Sequence, residues 1–238
     1  MKQGYSGSTV QQKGKLVEKV SSDRGFIKSK KRQRDLIALS QKIDVLPTIE
    51  KIEKTSIYME FVAGKEGLTI QNAQRAGMAL RLLHDQRGYP HPCFTGLAWL
   101  IELANENLAL FNDTRRISPE MIEYYPNDSL IHSEPGQFIE KKDGSIVFID
   151  FEGIGMGSRY QDLGQIYYGA IKEDRPELYT KFIEGYLSDP VQIDLARVKQ
   201  LAGIISLSYA GFGLTFVGRE EFEKRMRLGF RLLDETGW

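Results

Sequence analysis

The sequence is poor in several residue types, and each shortage excludes a class of function. Its 238 residues include one cysteine, so an internal disulfide framework is excluded and a reducing, cytoplasmic location is expected. The three histidines, at positions 84, 91 and 132, are too scattered to predict a zinc cluster. No Gly-x-Ser-x-Gly segment occurs, which argues against a serine hydrolase.

Long hydrophobic runs are also missing. The one stretch that resembles a membrane span covers residues 201–217, and its 17 residues carry no charge. Because it is short for a span and contains serine, threonine, tyrosine and glycine, it predicts a buried core helix. Residues 1–14 are polar and rich in glycine and serine, so neither a signal peptide nor a membrane partner is expected.

Neither sign of charge dominates the chain, but the distribution is uneven. Lys+Arg and Asp+Glu number 32 each, whereas residues 1–65 hold 14 basic and 7 acidic side chains. A basic N-terminal part suits a polyanionic ligand such as a nucleotide, although a solvated basic surface would give the same count. Residues 28–34 contain five basic side chains, which raises a nucleic-acid-binding module as an alternative. No aromatic stacking platform adjoins that run, so nucleic acid is not the expected partner.

The order of predicted elements indicates two lobes. The first third favours strands at residues 15–20, 49–54 and 56–62. A helix is predicted at residues 35–40, and the rest is mostly helical, at residues 72–84, 99–111, 119–125, 160–170, 176–187, 194–216 and 220–233. This pattern predicts an α+β chain with a small β-rich N-terminal lobe, residues 1–62, and a larger helical C-terminal lobe, residues 63–238. A cleft between two lobes is a common ligand site.

The most informative segment is a short hairpin flanked by polar residues. Lys141-Lys-Asp-Gly144 supplies the turn, because Asp-Gly is a strong hairpin signal, and Ser145–Ile149 is an apolar, β-branched strand. The acid–base cluster His132-Ser-Glu134 precedes the hairpin, and Asp150 follows it. Two strands joined by a turn bring those groups to one end of a sheet. The sequence therefore predicts a metal–phosphate site at this end of the hairpin.

The N-terminal lobe supplies the other parts that phosphoryl transfer requires, namely a loop over the phosphates and a cation that pairs with them. Four small residues would let backbone N–H groups approach phosphate oxygens: Ser6, Gly7, Ser8 and Thr9. Lys19 lies in the strand that follows, and Asp35, on the next helix, could pair with it. Taken singly, these features also suit an ordinary turn, a strand lysine and a helix N-terminal acid.

Together these residues resemble the aminoglycoside phosphotransferase and choline kinase-like family, a relative of the protein kinases. That family has a loop of the type His-Gly-Asp-x-x-Pro-Gly-Asn, a hairpin, and then Ile-Asp-Phe/Trp-Glu/Gly. This chain has Pro135-Gly-Gln137 and Ile149-Asp-Phe-Glu152 at the same spacing, followed by glycines and Asp162-Leu163. The resemblance covers most of the chain and implies a bilobed protein-kinase-like fold.

The resemblance also implies a role for each matching residue in the larger lobe. Asp150 would bind Mg²⁺ that bridges the phosphates of ATP or GTP. Gln137 takes the place of a metal-binding Asn and still offers a carbonyl oxygen, one methylene further out. Asp162 is similar to the later acid that braces the catalytic loop.

In the smaller lobe, the resemblance implies a nucleotide site. Lys19 would pair with the α- and β-phosphates, and Asp35 stands where a Glu is usual. Ile57–Val62 is similar to the family's hinge, so the backbone of Glu60, Phe61 and Val62 would contact adenine.

The catalytic loop departs from the family pattern. Counting back from Gln137 without a gap puts His132 at the catalytic Asp position, whereas aligning on Leu130-Ile-His132 makes Ser133-Glu134 the counterpart of Gly-Asp. Either group can accept a proton, and Glu134 is preferred slightly because residues 130–131 have the character of the preceding strand. The implied function is Mg²⁺-dependent transfer of a phosphate to a hydroxyl of a small molecule. Since three working positions are altered, a nucleotide-binding pseudokinase or regulator is the alternative.

Overall fold

The computed structural model describes residues 2–3, 9–20, 29–53, 55–93, 95–187 and 192–237. Within these ranges the chain folds, as predicted, into a small antiparallel sheet lobe and a larger helical part. Of the predicted phosphate loop, Ser6, Gly7 and Ser8 lie outside the described residues, and Thr9 begins a strand.

The N-terminal lobe is a sheet of antiparallel strands. Their bounds are β1 Lys2–Gln3, β2 Thr9–Lys13, β3 Leu16–Val20, β4 Ile49–Ile52 and β5 Ser56–Glu60. The spatial order is β1-β2-β3-β5-β4. In this register Lys19 lies opposite Val10 on one side and Ile57 on the other. Lys19 is therefore held on a central strand with a neighbour on each side.

One helix, α1 at Lys30–Lys42, connects β3 to β4 and contacts β4. Ser29 caps its first turn, since the Ser29 Oγ accepts a hydrogen bond from the Arg32 N–H at 3.4 Å. Leu36 and Leu39 on its inner face are buried in the core. The helix begins five residues before the predicted start, because the basic run is itself helical.

The larger lobe is built mainly from helices. Their bounds are α2 Ala73–His84, α3 Leu97–Leu110, α4 Arg159–Lys172, α5 Pro176–Tyr186, α6 Leu195–Ser208, α7 Ala210–Phe216 and α8 Arg219–Asp234, with a 3₁₀ helix at Pro119–Tyr124. Helices α2 and α5 pack with their backbones in close approach. A Cβ on Gly77 would lie 2.0 Å from the Phe182 carbonyl oxygen, and a Cβ on Gly185 would lie 1.9 Å from that of Gln74. These two positions therefore require glycine.

Short strands of the larger lobe flank the predicted site residues His132, Glu134, Gln137 and Asp150. They are β6 Lys65–Glu66, β7 Ser129–Ile131, β8 Phe138–Glu140, β9 Ile146–Phe148 and β10 Gly155–Gly157. β8 and β9 form the predicted hairpin, and Gly144 in its turn has φ 83°. β7 pairs with β10, so the segments on both sides of the hairpin are also joined. The hairpin prediction is confirmed, and its open end leads directly into Asp150.

The structure corrects the prediction of a single helix over residues 194–216. Helices α6 and α7 are separated at Tyr209, whose carbonyl accepts a hydrogen bond from Arg225 Nη1 at 2.9 Å. The same carbonyl also accepts a hydrogen bond from the Gly213 N–H at 3.3 Å, so the helical hydrogen-bond pattern continues across the division. The expected burial is present, since Leu201, Ile204 and Leu207 are all fully buried. Among the residues described, no helix has both the length and the apolar character needed to cross a bilayer.

Candidate active site

Lys19 of the sheet lobe and Asp150 of the helical lobe contact each other. The Lys19 Nζ reaches Asp150 Oδ1, although 131 positions separate the two residues in the sequence. The lysine side chain is 12% exposed and the aspartate side chain 45% exposed, so the pair is open to solvent on the carboxylate side. Strand β3 and the end of the hairpin thus bring together the cation and the carboxylate to which the sequence assigned phosphate and metal binding.

The open end of the hairpin places Gln137 next to the residue that precedes Asp150. The Ile149 N–H donates to the Gln137 carbonyl at 2.9 Å. Asp150 has φ 62° and ψ 40°, a left-handed conformation in which aspartate is one of the better tolerated side chains. Both Gln137 and Asp150 are exposed, and both offer the oxygen donors that Mg²⁺ prefers. The side chains at this end of the hairpin are thus of the type that could hold a magnesium ion.

A buried carboxylate holds the loop between β7 and β8. Asp162, in the first turn of α4, accepts hydrogen bonds from the backbone N–H groups of His132 at 2.7 Å and Ser133 at 2.9 Å. Its Oδ2 also lies 3.0 Å from His84 Nε2, and His84 Nδ1 lies 2.7 Å from the Tyr186 hydroxyl. These partners satisfy a carboxylate that is fully buried, where an unpaired charge would be costly.

The two alternatives for the catalytic group occupy different environments. His132 is fully buried, its ring lies 5.3 Å from that of Phe148, and its Nδ1 accepts a hydrogen bond from the Glu134 N–H at 3.2 Å. Burial lowers the pKa of the His132 imidazole and favours its neutral form. Glu134 is exposed on the same loop. Of the two residues, only Glu134 is accessible to solvent.

Gln165, which the sequence analysis did not single out, contacts this loop, and Tyr209 contacts Gln165. Gln165 Nε2 donates to the Ser133 carbonyl and, at 3.1 Å, to the Tyr209 hydroxyl. Burial raises the pKa of the Tyr209 hydroxyl, and the charge of Glu134 raises it further. Gln165 lies three residues after Asp162, on the same face of α4. That spacing is the signal by which the sequence could have shown Gln165.

Asp35, the predicted partner of Lys19, is paired elsewhere. Asp35 Oδ2 lies 2.8 Å from His91 Nε2, while the Lys19 ammonium contacts Asp150. The partner of Asp35 is thus an imidazole on the loop after α2 and not the ammonium group on β3. The pairing that sequence analysis proposed for Asp35 is therefore corrected.

The basic run at residues 28–34 is in part structural. Arg32 is only 8% exposed, and its guanidinium donates to the carbonyls of Pro92 at 3.3 Å and Ile154 at 3.0 Å. This side chain ties α1 to the larger lobe and is not available to a polyanion. The observation weakens the argument for a nucleic-acid surface, which depended on several free basic groups.

Glu60, Phe61 and Val62 follow the sheet into the larger lobe. The Glu60 N–H donates to the Thr48 carbonyl and the Phe61 N–H to the Lys15 carbonyl, both at 2.9 Å. The Phe61 side chain is 41% exposed, whereas Val62 is buried. The segment is thus anchored by the sheet up to Phe61, and its contact with adenine stays a prediction.

Cavities lie beside the segment formed by residues 60–62. One cavity of about 390 Å³ is lined by residues that include Asp44, Glu60, Val62, Lys141 and Asp143. Another of about 250 Å³ is lined by Lys15, Leu16, Thr48, Glu50 and Glu60. Lys19 and Asp150 do not occur among the described residues that line these two cavities. The candidate site is therefore defined by the convergence of polar groups and not by an enclosed volume.

Solved structures share the fold. This chain matches a choline/ethanolamine kinase family protein from Mesorhizobium loti with a TM-score of 0.72 and 15% identity, over 97% of this chain and 86% of that one. It matches the choline kinase LicA from Streptococcus pneumoniae with a TM-score of 0.67 and 14% identity, over 98% and 91%. It matches APH(2")-IIa, solved with gentamicin, with a TM-score of 0.65 and 13% identity, over 98% and 92%.

The predicted resemblance is confirmed at the level of the fold. The chain has a protein-kinase-like fold of the kind found in choline kinases and aminoglycoside phosphotransferases. No protein-family model matches the sequence, and no curated protein sequence matches it. Identity as low as 13–15% carries the fold and not the substrate, so the chemistry must be argued from the site.

Proposed function

We propose that the chain is a phosphotransferase that moves the γ-phosphate of ATP, or GTP, to a hydroxyl of a small molecule in the cytoplasm. The contact between Lys19 and Asp150 carries this proposal. Separate lobes deliver a cation and an exposed carboxylate to one point, which is what a metal–nucleotide complex requires. The shared fold supports the proposal, because the choline kinase LicA was also solved in complex with AMP.

On the nucleotide side, Lys19 pairs with the phosphates and the backbone of residues 60–62 contacts the base. Without nucleotide, Lys19 neutralises Asp150, and phosphate groups would compete for the lysine. Asp150 and Gln137 would hold Mg²⁺, which when bound neutralises charge on the phosphates. Asp150 follows the end of the strand in a left-handed conformation, and its side chain is 45% exposed and so accessible to such ligands.

On the acceptor side, Glu134 orients the hydroxyl group and accepts its proton by hydrogen bond. Its exposure and its place after the anchored Ser133 support this role. His132 instead fills the core against Phe148. Catalysis would rest on positioning and charge neutralisation.

A second candidate function is nucleotide binding without transfer, as in a pseudokinase. The observation that favours it is the pairing of Asp35 with His91, in place of the pairing with Lys19 that the sequence predicted. Such a chain would bind a nucleotide and act as a regulator. Retention of Asp150 next to Gln137 is the feature that favours the enzyme.

Thermal unfolding with Mg·ATP and Mg·GTP tests nucleotide binding. A ligand at 100 times its Kd stabilises by about 2.7 kcal/mol, which corresponds to a Tm rise of about 5–10 °C for a chain of this size. ADP release is then measured with a panel of small hydroxyl compounds that includes choline, ethanolamine and gentamicin. A Tm shift without ADP release would favour the pseudokinase, and no shift with either nucleotide would contradict both candidates.

Asp150→Ala tests the site assignment. It should lower turnover by about 10³-fold and leave the fold intact, because the lost carboxylate is exposed and ligand-facing. Asp143→Ala is the matched control, since Asp143 is an exposed aspartate in the turn of the same hairpin that bonds the Ser145 N–H at 3.0 Å. Equal turnover in wild type and Asp150→Ala would remove Asp150 from the site.

A further inference from the structure

Ser133, immediately before Glu134, has a backbone conformation that serine seldom adopts. Its φ is 75°, in the left-handed region, where a Cβ crowds the following carbonyl and glycine is favoured. The residue is also buried, at 3% exposure. Such a conformation persists when surrounding contacts fix it, and it determines the direction in which the next residue leaves the loop.

Helix α4 fixes both peptide groups that flank Ser133. The Ser133 N–H donates to Asp162 Oδ1 at 2.9 Å, which holds the peptide before the residue. The Ser133 carbonyl accepts a hydrogen bond from Gln165 Nε2, which holds the peptide after it. Asp162 and Gln165 are three residues apart and so lie on one face of the helix. Rotation about the Ser133 backbone would break at least one of these bonds.

We propose that Gln165 is a positioning residue for Glu134, acting through the backbone of Ser133. The proposal rests on the proposed function for its effect on turnover. Gln165 is itself oriented by the Tyr209 hydroxyl, which accepts a hydrogen bond from its Nε2 at 3.1 Å. Tyr209 stands at the break between α6 and α7, and the charge of Glu134 acts on it. The Gln165 amide therefore links Tyr209, between α6 and α7, to the loop that carries Glu134.

Gln165→Met tests this role, because methionine keeps the length of the side chain and removes the N–H donor. The Ser133 carbonyl then loses this donor, and the loop relaxes toward negative φ. Amide hydrogen exchange of a peptide covering residues 130–137, measured by mass spectrometry, should become about tenfold faster. In an acceptor assay, kcat should fall about tenfold or more while KM for ATP stays within about twofold, because a displaced acid affects the transfer step and not nucleotide binding.

Ser133→Gly in the Gln165→Met background provides the decisive comparison. Glycine adopts positive φ without a steric cost, so the loop no longer needs the amide to hold it. Exchange of residues 130–137 and kcat should both return to within about threefold of the wild-type values. A residue that merely supports the fold would not be rescued by a glycine at this position.

Gln161→Met is the matched control. Gln161 lies one turn earlier on α4 and also donates to a backbone carbonyl, that of Thr95, at 2.6 Å. Its replacement should lower Tm about as much as Gln165→Met does, without faster exchange at residues 130–137 and without rescue by Ser133→Gly. Tyr209→Phe, which keeps Gln165 but removes its partner hydroxyl, should shift exchange in the same direction by a smaller factor.

The outcomes separate this inference from the proposed function. Exchange needs no substrate, so faster exchange in Gln165→Met with recovery in the double variant supports the backbone role even if no acceptor is phosphorylated. Unchanged exchange in Gln165→Met overturns the inference, whether or not the protein is a kinase. Faster exchange that Ser133→Gly fails to restore also overturns it, because Gln165 would then act by another route.

Discussion

Asp150 and Asp162 lie twelve positions apart and serve the same small region in opposite ways. Asp162 is fully buried, and the protein itself supplies its donors from His84, His132 and Ser133. Asp150 has a side chain that is 45% exposed, sits in a left-handed conformation and contacts Lys19 from the other lobe. The first carboxylate is enclosed by the fold, whereas the second is partly exposed and accessible to an outside ligand.

This difference separates residues that stabilise the fold from residues that are accessible to a ligand. Buried polar groups are costly unless every partner is present, so the network around Asp162 should contribute to stability. A site that binds ligands must leave polar groups accessible, often at a cost in stability. Substitutions should therefore separate the two regions, with stability changing at Asp162 and turnover changing at the exposed groups.

Asp162→Asn, which alters the buried carboxylate, should give the largest change in stability. An amide in place of one oxygen turns a donor toward a backbone or imidazole N–H, leaving a buried group unpaired. We expect the free energy of unfolding to fall by about 3 kcal/mol in urea titrations, with the m-value unchanged. Asp150→Asn is the matched substitution on the exposed side. Its free energy of unfolding should stay within about 0.5 kcal/mol of wild type.

A comparison of Glu134→Gln with His132→Gln tests whether exposed and buried residues of one loop differ in the same way. The exposed Glu134 should lose about 10²-fold in kcat, close to 2.7 kcal/mol in the barrier, with unfolding hardly changed. The buried His132 should lose about 2 kcal/mol of stability and affect kcat less in the folded fraction. Turnover is measured as ADP release at a temperature where both variants are folded. The reverse pattern would assign the catalytic role to His132.

Local signals in the sequence were sufficient for the hairpin and for the residues at its end. Asp143-Gly144 fixes a turn by its own conformational preference, and the strand that follows points to Asp150. Lys19 was found on a strand for the same local reason, and the structure brings it to Asp150. The sequence could not give that contact, because it depends on how the two lobes pack.

The features that the sequence could not predict depend on tertiary packing between residues far apart in the chain. Asp35 pairs with His91, 56 positions away, and nothing near Asp35 in the chain indicates that partner. The sequence made His132 a candidate for the catalytic group, but the residue is buried. The neighbouring polar residues do not indicate whether a histidine faces solvent or the core. Gln165 was missed because no residue type marks its partner, a backbone carbonyl, and its spacing from Asp162 on α4 was the one available signal.

The smallest effect follows from the burial of His132 and can be read from stability against pH. Burial lowers the pKa of the folded imidazole below its unfolded value, so below about pH 6.5 the unfolded chain binds a proton that the folded chain does not. The stability that depends on a neutral His132 is therefore present above about pH 6.5. It is lost as the pH falls, and the free energy of unfolding drops by no more than about 1.4 kcal/mol per pH unit. Urea unfolding across this range should show the slope in wild type and in Glu134→Gln, and a shallower slope in His132→Gln. Equal slopes in all three proteins would mean that His132 is solvated, and the contrast drawn between it and Glu134 would fail.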